Sequence, residues 1–543
     1  MAVKVEVNSP LDYLEYCLSL RSGFENPPEI RLELFTQAPP GKLQVKATDV
    51  VATTAIQCYA PGIAAMRPRQ DEKAQSTVKS TLDAGHNTTR LHYYCTWKFI
   101  GVTRDVTHDI FHFSPFYNTE QQSQRFVKAE RGNYSIPTGL TEKQRELFLK
   151  TADLANEAYF GMLESLYPEV ERRLRLMYPK GGKIAEERLQ KKIPKLCQEV
   201  ARYVLPIGQL TVFDHTLSEL QLLRLFQASH LPNFSDEARF VIASMVKTLA
   251  EYDQTILAEL RKPIESESGV EIEDYPISGQ RRGFDEVLGE KQSVLLSSGG
   301  EMRRTLIFAA RNILKITGKE MPDEEILDWL LNPEKNRLLA DVNDVGMFDP
   351  LTSCLRQVSL TFATRLSHTA DSQRQRHRRT PGATSLIDEE TVRDLIENGP
   401  DYFTPLVVRE NPVLFEKYNQ SLKGIYGGII DAYRAGISIK LLKLLFVNGQ
   451  NMRVVEQGDA FDFLHRWKQR LCYNAQEEFF FISVEQAIQF LQFLSEASAV
   501  ALAPCAVRQT AGIHPRCPEG GDRWCGQPVF KFKIDEYQEN RLI

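Results

Sequence analysis

A polar stretch at 263–290, PIESESGVEIEDYPISGQRRGFDEVLGE, divides the chain, and the order of elements read before it starts again after it. Proline, glycine and charge at this density mark a linker. With 543 residues the chain exceeds one ordinary core and must fold as several domains. On the N-terminal side, Ile30–Phe35 and Lys42–Val45 read as β-rich runs, Val51–Tyr59 as a small-residue helix and Leu91–Gly101 as a strand. Val102–Phe111 then reads as a short helix stopped by Pro115, followed by helical periodicity over 140–205 and Asp236–Arg261. On the C-terminal side, Ser293–Leu296 reads as a strand, Met302–Leu314 as a small-residue helix and 351–362 as a strand. Arg365–His377 reads as a helix stopped by Pro381-Gly382, and further helices run to about residue 498. Identity between the halves is low, so the repeat rests on order rather than on matched residues. The expected organisation is a first copy at 1–262, the linker at 263–290, a second copy at 291–500 and a cysteine-containing tail at 501–543.

Composition narrows the function. A formal net charge of −5 gives no basic excess for general nucleic-acid binding, so anion binding must come from local clusters. No apolar run is long enough to span a membrane. The opening MAVKVEVNSPLDYLEY lacks a basic-then-apolar leader pattern. Nine cysteines scattered over so long a chain point to a reducing compartment, with the cytoplasm expected.

Two polar clusters could carry chemistry. In the second half, Gln373-Arg374-Gln375-Arg376-His377-Arg378 would place Gln373 with Arg376 and His377 on one helix face. The planar forks of Arg376 and Arg378 suit phosphate oxygens, and Gln373 both donates and accepts. Taken alone, the run is equally a solvated basic turn at a helix C-terminus. In the first half, Gln121, Ser123 and Arg125 alternate and would share one face if extended. A polar strand edge is the plainer alternative. In the tail, Cys505, His514, Cys517 and Cys525 are residue types that hold structural zinc, with buried free thiols as the other reading.

Each cluster resembles one half of the signature of the flavin-dependent thymidylate synthases, RHR-x-x-S-x-(N/S/Q)-x-x-S-x-R-Y. Arg376-His377-Arg378, preceded by Gln373, matches the first part; Gln121-Gln122-Ser123-Gln124-Arg125-Phe126 matches the second. After Arg378 the second half departs from the pattern, with Leu386 and Asp388 where the later Ser and Arg belong. The first half has His112-Phe113-Ser114 in place of RHR. Gly101 to His108 resembles the family's G-x-(S/T)-R-x-x-x-H helix, and Gly85-His86 with His92 its GH…H. Ala201-Arg202-Tyr203-Val204-Leu205-Pro206 resembles A-R-x-x-L-P, while Lys443 stands near that arginine's place in the second half. His465 to Arg470, with Ala475-Gln476-Glu477-Glu478, resembles (N/H)-F-x-x-x-R-x-x-x-x-A-Q-x-E, and Asp459 stands where an Asn is usual.

The resemblance implies an α+β chain of two tandem synthase-like domains, each a small antiparallel sheet with long helices, packed as a pseudo-dimer. It implies one composite site in which dUMP is reductively methylated to dTMP, with FAD as cofactor and NADPH and methylenetetrahydrofolate as co-substrates. Gln121, Ser123, Arg125, Arg202, Gln373, Arg376 and Arg470 would bind substrate, with Ser123 and Arg470 closest to the chemistry. Arg376, His377, Arg378, His465, Asp459 and His92 would bind the flavin. A homodimer forming a pseudo-tetramer is expected. Hydroxymethylation of a pyrimidine nucleotide, or nucleotide binding without catalysis, stay open as alternatives.

Overall fold

The computed structural model describes residues 9–35, 45–57, 64–69, 72–85, 87–111, 117–178, 183–231, 234–262, 280–298 and 301–543. Among these residues eight strands form two four-stranded antiparallel sheets. The first holds β1 (Glu29–Phe35), β2 (Tyr94–Thr103), β3 (Asn118–Gln121) and β4 (Leu210–Ser218), in the order β1-β2-β4-β3. The second holds β5 (Ser293–Ser298), β6 (Ser359–Ser367), β7 (Gly382–Thr384) and β8 (Asn451–Asp459), in the order β5-β6-β8-β7. The α+β class and the recurrence of element order are therefore present in the fold. β2 shows why these residues form strands: in YCTWKFIGVT, Cys95, Trp97 and Phe99 bury on one face while the residues between them stay more open.

Several boundaries move. The strand expected over 351–362 begins only at Ser359, because Thr352–Gln357 closes into a 3₁₀ turn. The helix expected from Arg365 begins at His368, because Arg365 and Ser367 still pair with Arg453 and Asn451 across the sheet. The linker carries a helix at Gln280–Leu288, which Asp285 fastens to Arg453 at 2.6 Å. Residues 263–279, most of Lys42–Val45, His86 and the stop at His112–Phe116 lie outside the described residues.

The largest core belongs to both halves. The helix Glu142–Met177, begun by a Thr141–Gln144 capping box, packs on the helix Pro412–Arg434, whose N-cap is Asn411. Tyr159, Met162 and Leu166 from one share a buried cluster with Tyr418, Leu422 and Ile425 from the other. Each half adds a smaller core of its own beside its sheet.

Where the halves meet, two chain segments run antiparallel with paired hydrogen bonds. Ile207 N–H donates to Phe446 O at 2.7 Å, and Asn448 N–H to Leu205 O at 2.8 Å. Gly208 N–H donates to Leu444 O, and Gly449 N–H to Tyr203 O, both at 2.8 Å. Each bond has its counterpart under exchange of the halves, which is a local two-fold relation. Glycine is required here, since a Cβ on Gly208 would stand 2.8 Å from Leu444 O. The relation sets Arg202 opposite Lys443, each opening a 3₁₀ turn, Arg202–Val204 and Lys443–Leu445.

Candidate functional site

The helix Lys183–Ala201 ends into the 3₁₀ turn that carries Arg202. β3 ends at Gln121 and leads into a turn closed by Phe126 N–H on Ser123 O at 3.0 Å. From the other half, β6 ends at Ser367, whose hydroxyl caps the helix His368–Arg374 and so places Gln373. Ser367 is itself held by Glu478, which accepts from its N–H at 2.6 Å and its hydroxyl at 2.5 Å. Tyr203, next to Arg202, donates to the same carboxylate at 3.0 Å, and Gln476 donates to the Tyr203 oxygen at 2.7 Å. This buried network ties the Arg202 turn of one half to the Gln373 helix of the other.

Those elements meet at one narrow cleft, lined by Gln121, Ser123 and Arg202 from the first half and Gln373 and Arg376 from the second. One chain suffices to bring them together. Among the described residues three guanidinium groups, Arg104, Arg202 and Arg376, line the cleft, and no carboxylate does. Arg104 and Arg202 are buried, and Arg376 stands exposed at the mouth. Burial, together with the neighbouring Arg202 and Arg376, pushes Arg104 down to about 9. Arg202 is likewise lowered, first by burial, with Glu199 opposing. Among the described residues, Arg104 Nε, Arg202 Nε and Nη2, Gln121 Nε2, Gln124 Nε2 and Asn448 Oδ1 are buried without a hydrogen-bond partner. Buried polar groups are almost always satisfied, so the unmet Arg and Gln donors in this cleft suit an anionic, hydrogen-bonding ligand.

Arg104 and Asn448 were missed as site residues. The Gly101–His108 motif pointed to the helix Arg104–Phe111 but not to where its first turn lies. Asn448 had no signal in the sequence; it reaches the cleft by donating to Arg202 O at 3.1 Å and Gln124 Oε1 at 3.2 Å.

Beside the cleft, Arg470 donates from Nε to His377 Nε2 at 2.8 Å, and to the side chain and backbone oxygens of Gln373 at 3.3 and 3.2 Å. Burial, then Arg376 and Arg125, push Arg470 down to about 9. Burial, then Arg470 and Arg466, hold His377 well below its usual value, so it is neutral and accepts at Nε2. Arg378 is exposed, donates to Asn118 of the first half at 3.0 Å and lies over the Tyr117 ring.

Several predicted residues stand elsewhere. The alternation of Gln121, Ser123 and Arg125 stops with the strand, because only Asn118–Gln121 pair with β4. Arg125 turns to Glu199 at 2.7 Å and to Asn474 O at 2.7 Å and does not line the cleft. Asp459 is the N-cap of the helix Ala460–Arg470, accepting from Asp462 N–H at 2.8 Å. His465 lies 3.1 Å from Asp344, whose carboxyl is held low by His465 and Arg379 against the opposing effect of burial. His92 is exposed in the turn Asn87–His92 and is not among the residues lining the cleft. The expected zinc set is corrected: among the described residues no three His, Cys, Asp or Glu side chains converge as metal ligands. Cys505, Cys517 and Cys525 are free thiols, and burial pushes Cys505 up to about 12. No described helix is long and apolar enough to cross a membrane.

For a flavin dinucleotide the donor set fits in part. Arg376 and Arg378 present exposed guanidinium groups on either side of His377, as its anionic portion requires. His377 Nε2, His465 Nε2 and one Asp459 oxygen are engaged by protein partners.

The support of Arg104 predicts a pH dependence. Thr103, just before the Arg104 helix, donates from N–H and hydroxyl to Glu237 at 2.9 and 2.8 Å. Burial pushes Glu237 up to about 8, and Glu219 likewise to about 8. Both carboxyls keep protons in the fold that the unfolded chain releases near 4.3, so stability falls as pH rises through about 8. Buried His215 and His368, held near 3 by burial, act in the opposite sense but only below about 6.5. Between pH 6.5 and 8.5 the unfolding free energy, and with it the urea midpoint, is therefore expected to decline, by about 2 kcal/mol for each carboxyl. Glu237→Gln is expected to flatten that slope; a midpoint that rises with pH would contradict this account.

Residues 43–252 match the family model described as thymidylate synthase complementing protein. No curated protein matches the chain. Solved structures with partial similarity include a UMP/dUMP methylase, PolB, from Streptomyces cacaoi bound with 5-Br dUMP, at 15% identity over 43% of this chain and 94% of that chain, with a TM-score of 0.31. The same protein bound with 5-Br UMP is similar at 13% identity over 43% and 94%, with a TM-score of 0.29.

Proposed function

We propose that the chain is an FAD-dependent thymidylate synthase that converts dUMP to dTMP in one composite cleft, with methylenetetrahydrofolate as carbon donor and NADPH as reductant. One observation carries the reading: buried guanidinium and amide atoms of Arg104, Arg202, Gln121 and Gln124 from the first half, and of Asn448 from the second, face one cleft without hydrogen-bond partners. The family match over 43–252 supports it independently. On this reading Arg202 takes the nucleotide phosphate from one side and Arg376 from the other, as charge-assisted bonds in a cleft without carboxylates. Gln121, Ser123 and Gln373 orient the sugar and base.

Arg470 would face the pyrimidine and stabilise negative charge as it develops on the ring. Its Nε is held by neutral His377 and its forks by Gln373, so its direction is set before substrate arrives. Arg376 and Arg378 would hold the anionic part of FAD. When bound, FAD supplies the redox chemistry and the transfer of the one-carbon unit, and the chain's own residues bind, orient and polarise. Arg125, tied to Glu199 and Asn474, supports the wall of the cleft rather than touching substrate.

The test is product analysis with the full chain, FAD, NADPH, methylenetetrahydrofolate and dUMP. A mass gain matching dTMP is the expected result. A hydroxymethylated product would keep the site and change the reaction. A chain that binds neither FAD nor dUMP would sink the proposal.

A further inference from the structure

The local two-fold relation generates a second cleft position, and its residues can be read off the paired elements. Thr103 pairs with Leu210 at the end of β2, and Ser367 with Asn451 at the end of β6. The helices that follow these strands therefore correspond, with Arg104 opposite His368, Asp105 opposite Thr369 and Asp109 opposite Gln373. In the edge strands Gln121 pairs with Phe213 and Thr384 with Val454, which sets Ser123 opposite Leu386 and Arg125 opposite Asp388. Arg202 corresponds to Lys443.

The exchange inverts the charge. At the first position three guanidinium groups have no carboxylate lining the cleft with them. At the second, Arg104 gives way to His368, which burial holds neutral, and two neutral side chains give way to Asp105 and Asp109. Lys443, largely covered, sits 2.6 Å from Asp105. Although burial opposes it, Asp105, Asp109 and Glu237 hold the Lys443 ammonium above its ordinary value. Asp109 is also fixed by Ser235, whose N–H and hydroxyl donate at 3.0 and 2.9 Å. The anion that the first cleft lacks is supplied at the second by the protein itself.

We infer that the second position is an internal lock, in which Lys443 of one half is paired with Asp105 of the other and Asp109 adds to the negative charge around it, and that each chain binds a single nucleotide. The inference rests on reading the first cleft as a nucleotide-phosphate site. A phosphate entering the second position would meet two carboxylates and a cation already neutralised. The lock also gives the chain an asymmetry: one interface between the halves is open to ligand, and its counterpart is closed.

Two measurements test it on the full chain. Equilibrium dialysis with dUMP is expected to saturate at one per chain; two per chain would overturn the lock. Thermal melts of Lys443→Met, Asp105→Asn and the double variant form a cycle. Each single change leaves a buried charge unpaired and is expected to lower Tm, while the double recovers most of the loss. Strictly additive losses would overturn the lock even if one dUMP binds. If no dUMP binds, the proposed function fails, and the melting cycle still decides whether Lys443 is locked.

Discussion

Arg202→Ala and Arg376→Ala chains are each expected to lose dUMP affinity by about two orders of magnitude, the worth of one charge-assisted contact at its upper range, and turnover with it. The two residues come from different halves but line one cleft. Arg202 is buried with Nε and Nη2 unpartnered, and Arg376 makes the mouth. Mixing the two variants discriminates further. With the cleft within one chain, every chain in the mixture carries a broken site, and activity stays lost. Recovery towards a quarter of the wild-type rate would mean that partner chains complement each other, and the single-chain cleft would have to be abandoned. Lysine at either position would keep charge but lose the planar fork, so partial binding is expected from Arg202→Lys.

Glu478→Ala is the second large effect. The carboxylate joins Ser367 N–H, Ser367 hydroxyl and Tyr203 hydroxyl across the two halves, all buried. Its removal leaves those donors unsatisfied, at a cost of about 3 kcal/mol or more. It also releases the cap of the helix that places Gln373. Burial pushes Glu478 up to about 7, so near neutrality it is partly protonated and Glu478→Gln imitates that form. The glutamine variant is expected to fold nearly as well as wild type while raising KM for dUMP several-fold at unchanged kcat. If the alanine variant melts like wild type, the network does not hold the halves together.

The recurrence of element order was legible because it depends on local order. Strand, short helix and long helix leave their periodicity in the sequence wherever they occur. The partition of cleft residues was legible for a similar reason: Gln121, Ser123, Arg202, Gln373 and Arg376 sit in short motifs whose spacing survives in each half. Arg125 was misplaced because alternation assumes a strand that the pairing with β4 does not continue beyond Gln121. Asp459 looked like a cofactor contact, but an Asp immediately before a helix is equally an N-cap, and the cap is what the fold uses. The tail cysteines come near one another, but among the described residues no three of them are set as metal ligands.

By itself, the sequence determined which side chains each half could offer: an arginine after the Lys183–Ala201 helix, a glutamine and arginines around His377, and a lysine where the second half's arginine would be. It could not determine that Arg104 and Asn448 join the first set, or that Asp105 and Asp109 answer Lys443. Those meetings arise where Tyr203–Gly208 runs against Leu444–Gly449, between residues far apart along the chain. Spacing reports which residues share one face of one element. Which faces meet, and so which charges are left open to a ligand and which are neutralised within the fold, depends on packing the two halves about their local two-fold relation.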